Sequence, residues 1–223
     1  MPSLDMPYTY QDLTEAGSVR VIELLPGPGI HVEVSVKDLN VETEPYDALS
    51  WQWGSESYAG ENTIQIQDKG GGVDETMLVR PNLLLALKSI WGLAPGFRSS
   101  LLWVDLICIN QNDPEEKARQ VAKMTEIYQK ARRVHIWLGK PGCAVHAGAQ
   151  DDFTDEELGI AVQQIDALSN LEDANHIGNM DKGIRNKAEL YDLEPLFKLL
   201  RRGWFSRRWI IQVSHLIIQR RKF

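Results

Sequence analysis

The chain is short of cysteine, of long apolar runs and of basic charge, and each shortage excludes a class of protein. Two cysteines in 223 residues, Cys108 and Cys143, cannot build a disulfide framework, and neither lies in a CxxC pair or near histidines at zinc-ligand spacing. A reducing, cytoplasmic setting fits that usage, and no metal site is expected. The N-terminus MPSLDMPYTY has no basic region followed by an apolar stretch, no Asn-x-Ser/Thr sequon occurs, and no uncharged apolar run approaches membrane-spanning length. Neither secretion nor a transmembrane segment is expected. Acidic residues outnumber basic ones, 31 to 24, so no overall field attracts phosphate backbones and nucleic acid is not an expected partner. The balance is uneven, because residues 201–223 carry seven Arg/Lys and no Asp/Glu. That basic end could meet anionic lipid, but it reads more simply as a solvated face and a frayed terminus.

What is present suits a folded domain: 43% hydrophobic and 25% charged residues, with length for one domain plus elaborations or two small ones. Ser18 to Leu25 and Ile30 to Val36 alternate as strands around the turn Pro26-Gly27-Pro28-Gly29 and predict an N-terminal β-meander, after which Tyr46 to Trp53 is a third extended segment. Thr63 to Gln67 is expected to pair with Met77 to Arg80 across Gly70-Gly71-Gly72. That glycine run lacks the lysine and Ser/Thr of a phosphate-binding loop, so it reads as a hairpin tip.

From Pro81 the apolar period becomes 3.6, with Leu83, Leu84, Leu87 and Ile90 on one face of a helix. Leu101 to Ile109, nine residues with the single charge Asp105, reads as a strand covered on both faces. Asp113-Pro114-Glu115-Glu116 is a capping signature for a helix to about Ala131, and Arg133 to Leu138 is the next strand. Strand, helix, strand predicts a βαβ unit with its two strands parallel. Thr154-Asp155-Glu156-Glu157 caps a further helix to about Leu168; residues 169–188 read as a polar insertion; helices follow over Glu194 to Arg201 and from near Arg207. The expected class is α/β, a largely parallel central sheet with flanking helices plus the N-terminal meander. The alternative is α+β with a mostly antiparallel sheet.

Three segments are too aromatic and irregular for core packing alone: Tyr46-Asp47-Ala48-Leu49-Ser50-Trp51-Gln52-Trp53-Gly54, Leu102-Trp103-Val104-Asp105-Leu106-Ile107-Cys108-Ile109-Asn110-Gln111, and Trp204-Phe205-Ser206-Arg207-Arg208-Trp209-Ile210-Ile211-Gln212. Together they resemble the heterokaryon incompatibility (HET) domain of filamentous fungi, whose pattern Lys117, Gln120, Val121, Met124, Ile127, Tyr128, Ala131 and Trp137-Leu138-Gly139 also follow in order. The resemblance covers residues 46 to 212, leaving 1–45 as the meander packed on the main domain, 139–190 with a variable insertion, and 213–223 as a tail outside the family pattern. It implies a cytoplasmic trigger of regulated cell death in nonself recognition, acting through protein partners or self-association.

HET domains in turn resemble TIR domains, which have a flavodoxin-like parallel sheet and in some members cleave NAD, the substrate nominated here; no bound cofactor is required. Their catalytic glutamate lies four residues after a tryptophan, and counting from Trp209 in Ser206-Arg207-Arg208-Trp209 that position is Val213, next to Gln212. Cleaving the nicotinamide–ribose bond passes through an oxocarbenium-like state that a carboxylate stabilises, and valine supplies none. The resemblance therefore implies weakened or lost catalysis. Val213-Ser214 is also what a retained intron would encode if its donor GTAAGT were read in frame, so a shortened product of a longer gene is expected.

The ligand-binding candidates are Ser50, Trp51, Trp53, Asp105, Asn110 and Gln111. Asp105 reads first as a buried acceptor for a tryptophan indole or an arginine, and second as a substrate contact. Asn110 and Gln111 follow a strand's C-terminal end, where ligands of open α/β sheets bind, or else form a turn leading to the Asp113 cap. Trp51, Trp53, Trp103, Trp137 and Trp209 line a ring-binding pocket in one reading and the core in the preferred one. Cys108 with His135 could be a nucleophile and base, but a lone cysteine in an apolar run reads as core.

Overall fold

The structure, a computed structural model, describes residues 8–41, 44–53, 62–71, 75–92, 101–139, 154–172, 194–202 and 204–205. These group into two compact units, one of residues 1–138 with 208–223 and one of residues 139–207.

The first unit is built on a seven-stranded mixed sheet of order β5-β4-β2-β1-β6-β3-β7. β1 (Ser18–Leu25) and β2 (His31–Asp38) form an antiparallel hairpin from Ser18↔Asp38 to Leu25↔His31, closed by the Pro-Gly turn. β2 buries Val32 and Val34 and turns His31, Glu33 and Ser35 outward, as alternation requires. β1 lies between β2 and β6, and Val19, Arg20, Val21 and Ile22 are all buried.

The hairpin does not continue as a meander. β3 (Tyr46–Trp51) crosses to the other half of the sheet and lies between β6 (Leu101–Trp103) and β7 (Val134–Trp137), parallel to both. All six β3 residues are buried, so this strand needs a central slot covered on both faces. The place beside β2 goes to β4 (Thr63–Asp68), in parallel, and β5 (Glu75–Leu78) closes that edge antiparallel to β4. β5 starts and ends two residues earlier than expected, with Gly70 at φ 79 in the tip, a conformation glycine adopts freely. β6 and β7 are parallel members of one sheet, as a βαβ unit requires, with β3 interposed. The fold is α/β.

Two further expectations are corrected. The apolar run from Leu101 leaves the sheet after Trp103 and coils into a helical turn, α2 (Asp105–Cys108), with Cys108 N–H bonding to Val104 O at 2.8 Å. A short apolar run does not by itself distinguish a buried strand from a buried helical turn. The helix expected over 113–131 is two, α3 (Pro114–Ala122) and α4 (Met124–Lys130), separated at Lys123, whose N–H bonds three residues back to Gln120 O. Gln120 Nε2 and Lys123 Nζ both donate to Ser18 O, tying this bend to the start of β1. Before them, α1 (Pro81–Trp91) starts on its proline and buries Leu83, Ala86, Leu87 and Ile90 against the core. α4 adds Met124, Ile127 and Tyr128 to that cluster.

Gly17 marks a close approach just before β1. A Cβ there would stand 2.1 Å from Asp38 Oδ1 and 2.2 Å from Asn40 Nδ2, and Asp38 Oδ1 already accepts the Asn40 N–H. Gly17→Ala is expected to displace that carboxylate, break the turn bond and cost about 1–2 kcal/mol in a urea titration. Wild-type stability would show that the two side chains move aside freely.

In the second unit, α5 (Asp155–Glu172) opens with the expected capping box: Thr154 N–H donates to Glu157 Oε2 (2.7 Å), and Glu157 N–H donates to Thr154 Oγ1 (3.2 Å). It runs about a turn beyond the expected end. α6 (Glu194–Leu200) packs on α5 and is joined to it by Lys198 Nζ to Glu157 Oε1 at 2.7 Å. The helix expected from Arg207 and most of the expected insertion lie outside the described residues. Among the described residues, no helix is long and apolar enough to cross a membrane.

Candidate functional site

β3, β6 and β7 run in the same direction, so their C-terminal ends gather at one edge of the sheet, where Trp51 pairs with Trp137 and Trp103 ends β6. Leaving the sheet there, the chain turns at Asp105. Trp51 Nε1 donates to Asp105 Oδ1 at 2.7 Å and Trp53 Nε1 to Oδ2 at 2.9 Å, while the Leu106 amide donates to Oδ1 at 2.7 Å. Both oxygens of this carboxylate are thereby committed. Trp51 and Trp53 lie nearly parallel, with centroids 6.1 Å apart and planes at 19°.

The sequence did not reveal two members of this cluster, which come from the start of α1. The Arg80 guanidinium lies 5.0 Å from the Trp53 ring centroid, a cation–π contact. Asn82 donates through Nδ2 to Gln52 O (2.6 Å) and accepts from Trp137 Nε1 (2.8 Å), joining β7 to the end of β3. Asn82 did leave a signal, as a polar residue in the first turn of an otherwise apolar helix face.

The remaining candidates divide. Ser50 is buried within β3, opposite Ile136 of β7. Asn110 takes the turn reading: its Oδ1 accepts the Asn112 N–H and its backbone O the Asp113 N–H, leading into the cap where Asp113 Oδ1 accepts from Glu115 and Glu116. Gln111 Nε2 donates to Asp105 O at 3.0 Å, and its Oε1 is buried with no hydrogen-bond partner among the described residues. Trp103 is fully buried, edge-to-face on Tyr128 at 5.5 Å. Val213 and its neighbours Ser206, Trp209 and Gln212 lie outside the described residues.

The cysteine–histidine alternative has no support in the geometry. Burial pushes the Cys108 thiol up to about 12, and its Sγ accepts the Val104 N–H at 3.3 Å. His135 Nε2 instead meets Asp47 Oδ2 at 2.9 Å, and Arg132 grips the same carboxylate through Nε and Nη2. Burial works to raise the Asp47 carboxyl, but the hydrogen bonds from Arg132 and His135 outweigh it and hold it below the ordinary carboxylate range. Among the described residues, no group of three or more His, Cys, Asp or Glu side chains could hold a metal ion.

Behind the Asp105 loop, a buried ion pair sets its path. Arg20 on β1 meets Glu116 on α3 through Nη1 at 2.6 Å and Nη2 at 3.0 Å, and Arg20 also donates to Cys108 O and Gln11 O. Glu116 Oε1 accepts the Asn110 N–H as well, at 2.8 Å. The N-terminal segment closes over this pair: the Tyr10 ring lies 4.8 Å from the Arg20 guanidinium carbon and its hydroxyl donates to Ile107 O.

The family model of the heterokaryon incompatibility protein (HET) matches residues 46–212. The chain is 29% identical over 191 residues to "Heterokaryon incompatibility protein 6, OR allele" of Neurospora crassa, an alignment covering 75% of this chain and 27% of that protein. The chain thus spans about a quarter of that relative's length. No solved structure matches.

Proposed function

Starting from a chain that belongs to the heterokaryon incompatibility (HET) family, we propose that it acts in fungal nonself recognition and the regulated cell death that follows, in the cytoplasm, as a signalling module working through protein contacts. The observation that carries the non-catalytic part is the state of Asp105. It stands at the ligand-binding edge of the parallel strands, but its two oxygens are taken by two indoles and an amide. A carboxylate held by three donors orders the edge, which supports a structural role over stabilisation of an oxocarbenium centre. The position that the TIR likeness assigns to catalysis holds Val213.

A second reading, TIR-like NAD cleavage reduced in this chain, is favoured by the parallel β6-β3-β7 block, since open α/β sheets bind ligands beyond the carboxyl ends of such strands. One experiment separates the two. The purified full chain and its Val213→Glu variant are incubated with NAD and nicotinamide release is followed. The module reading expects no release from the chain as it stands. Release by the unaltered chain would overturn it, and release by the variant alone would establish the second reading as the family's chemistry, lost here at one residue.

A further inference from the structure

Among the described residues, the second unit has an outward apolar stripe that the packing of its two helices does not use. Within the α5–α6 pair, Ala161, Gln164, Leu196 and Leu199 are buried, yet Val162 and Ile165 on α5 and Phe197 and Leu200 on α6 are between 41% and 51% exposed. Each pair is spaced i, i+3, so each helix shows a second apolar line beside the one it buries. Four large apolar side chains grouped on two adjoining helices form a patch of the kind that marks an interaction surface.

Charge selects the occupant. α5 carries Asp155, Glu156, Glu157, Asp166 and Glu172 and no lysine or arginine, whereas the last turn of α6 and the residue after it supply Lys198 and Arg201. The Lys198–Glu157 bond sets the first turn of α5 beside the last turn of α6, so acidic and basic ends lie side by side. Asp155 and Glu156 are exposed, and Arg201 is 72% exposed, bonded through Nη1 to Glu194 at 3.4 Å. A surface with an acidic line next to a basic one is complementary to itself under a two-fold rotation.

We propose that this face joins two copies of the chain, each α5 lying on the α6 of the second copy. Two orientations bring such faces together about a two-fold axis. An axis across the helices sets α5 on α5, acid against acid. An axis along the helices sets Val162 and Ile165 on Phe197 and Leu200 of the second copy, with Asp155 facing Arg201 of the second copy twice, once on each side of the axis. The second orientation is the one that charge favours. A standard interface buries about 800 Å² per partner, so the apolar side chains make its centre and the charged residues its rim. The inference deepens the protein-contact reading proposed above and rests on it.

The test is sedimentation of the full chain over a range of concentrations. The unaltered protein is expected to move from monomer to dimer, and Phe197→Glu to weaken that association by about tenfold or more. Asp155→Arg and Arg201→Glu are each expected to weaken it when alone, since each sets like charges together twice. Mixed, these two variants present opposite charges at both contacts and are expected to dimerise again, a recovery that misfolding cannot produce. A chain that stays monomeric throughout, a Phe197→Glu variant that associates normally, or a mixture that does not recover would each overturn the proposal. A monomer that releases no nicotinamide removes this surface alone, and a dimer that releases nicotinamide removes the non-catalytic reading alone.

Discussion

Replacing Glu116 by alanine is expected to destabilise the protein by about 3–5 kcal/mol, the cost of leaving a buried guanidinium without its carboxylate. Arg20 is 1% exposed, and without Glu116 it retains the Cys108 and Gln11 carbonyls and the Tyr10 ring, which bring no negative charge. The Asn110 amide loses its acceptor in the same step, so the turn after Asp105 loosens along with the pair. Replacing both partners, Arg20→Met with Glu116→Leu, is expected to cost much less than Glu116→Ala, because no charge is then left buried. Denaturant titrations of the parent and the two variants measure the difference, and a single substitution no worse than the double would refute the account.

The same pair has a pH signature. Burial alone would raise the Glu116 carboxyl, but the hydrogen bonds from Arg20 and Asn110 more than offset it and the folded value lies below the ordinary one. A carboxyl depressed in the folded state stabilises it fully above the unfolded value of about 4.3, and that contribution falls away as acid titrates through the lowered folded value. Asp47, held low by Arg132 and His135, adds a loss of the same sign. Stability is therefore expected to fall on acidification below about pH 4, and less steeply in the Arg20→Met, Glu116→Leu double variant.

Asp105→Ala is the second substitution with a large expected effect, about 3 kcal/mol or more. Hydrogen bonds to a charged acceptor contribute about 1.5–3 kcal/mol each, and three donors lose theirs together. Water can replace the carboxylate at Trp53, which is partly exposed, but not at Trp51, which is 1% exposed, so most of the penalty falls on the Trp51 indole. Asp105→Asn is expected to recover only part, since its amide NH₂ would face an indole N–H, donor against donor. Thermal melts read the stability, and a red shift of tryptophan fluorescence reads the opened cluster. Stability within about 0.5 kcal/mol of the parent would show that the indoles do not depend on this acceptor.

Local chemistry was legible in the sequence wherever it acts over a few residues. The Asp113-Pro114 and Thr154–Glu157 caps, the Pro-Gly turn of the first hairpin, Pro81 at the start of α1 and the motifs of the HET family all depend on neighbours in the chain. The wholly acidic charge of α5 is also a property of the sequence alone. The sequence marked Tyr46–Trp53 as extended, but not which strands flank it; that depended on competition for places in the sheet, in which β4 took the one beside β2 and β3 the one between β6 and β7. The run from Leu101 was long enough for a strand, and it coils because Asp105 finds two indoles and its own neighbour's amide only by leaving the sheet. Arg20 paired with Glu116 and Asn82 with Trp137 across gaps that no spacing rule spans. A buried polar group must be satisfied by whatever the fold brings within about 3 Å, and that partner exists only once the strands have been ordered.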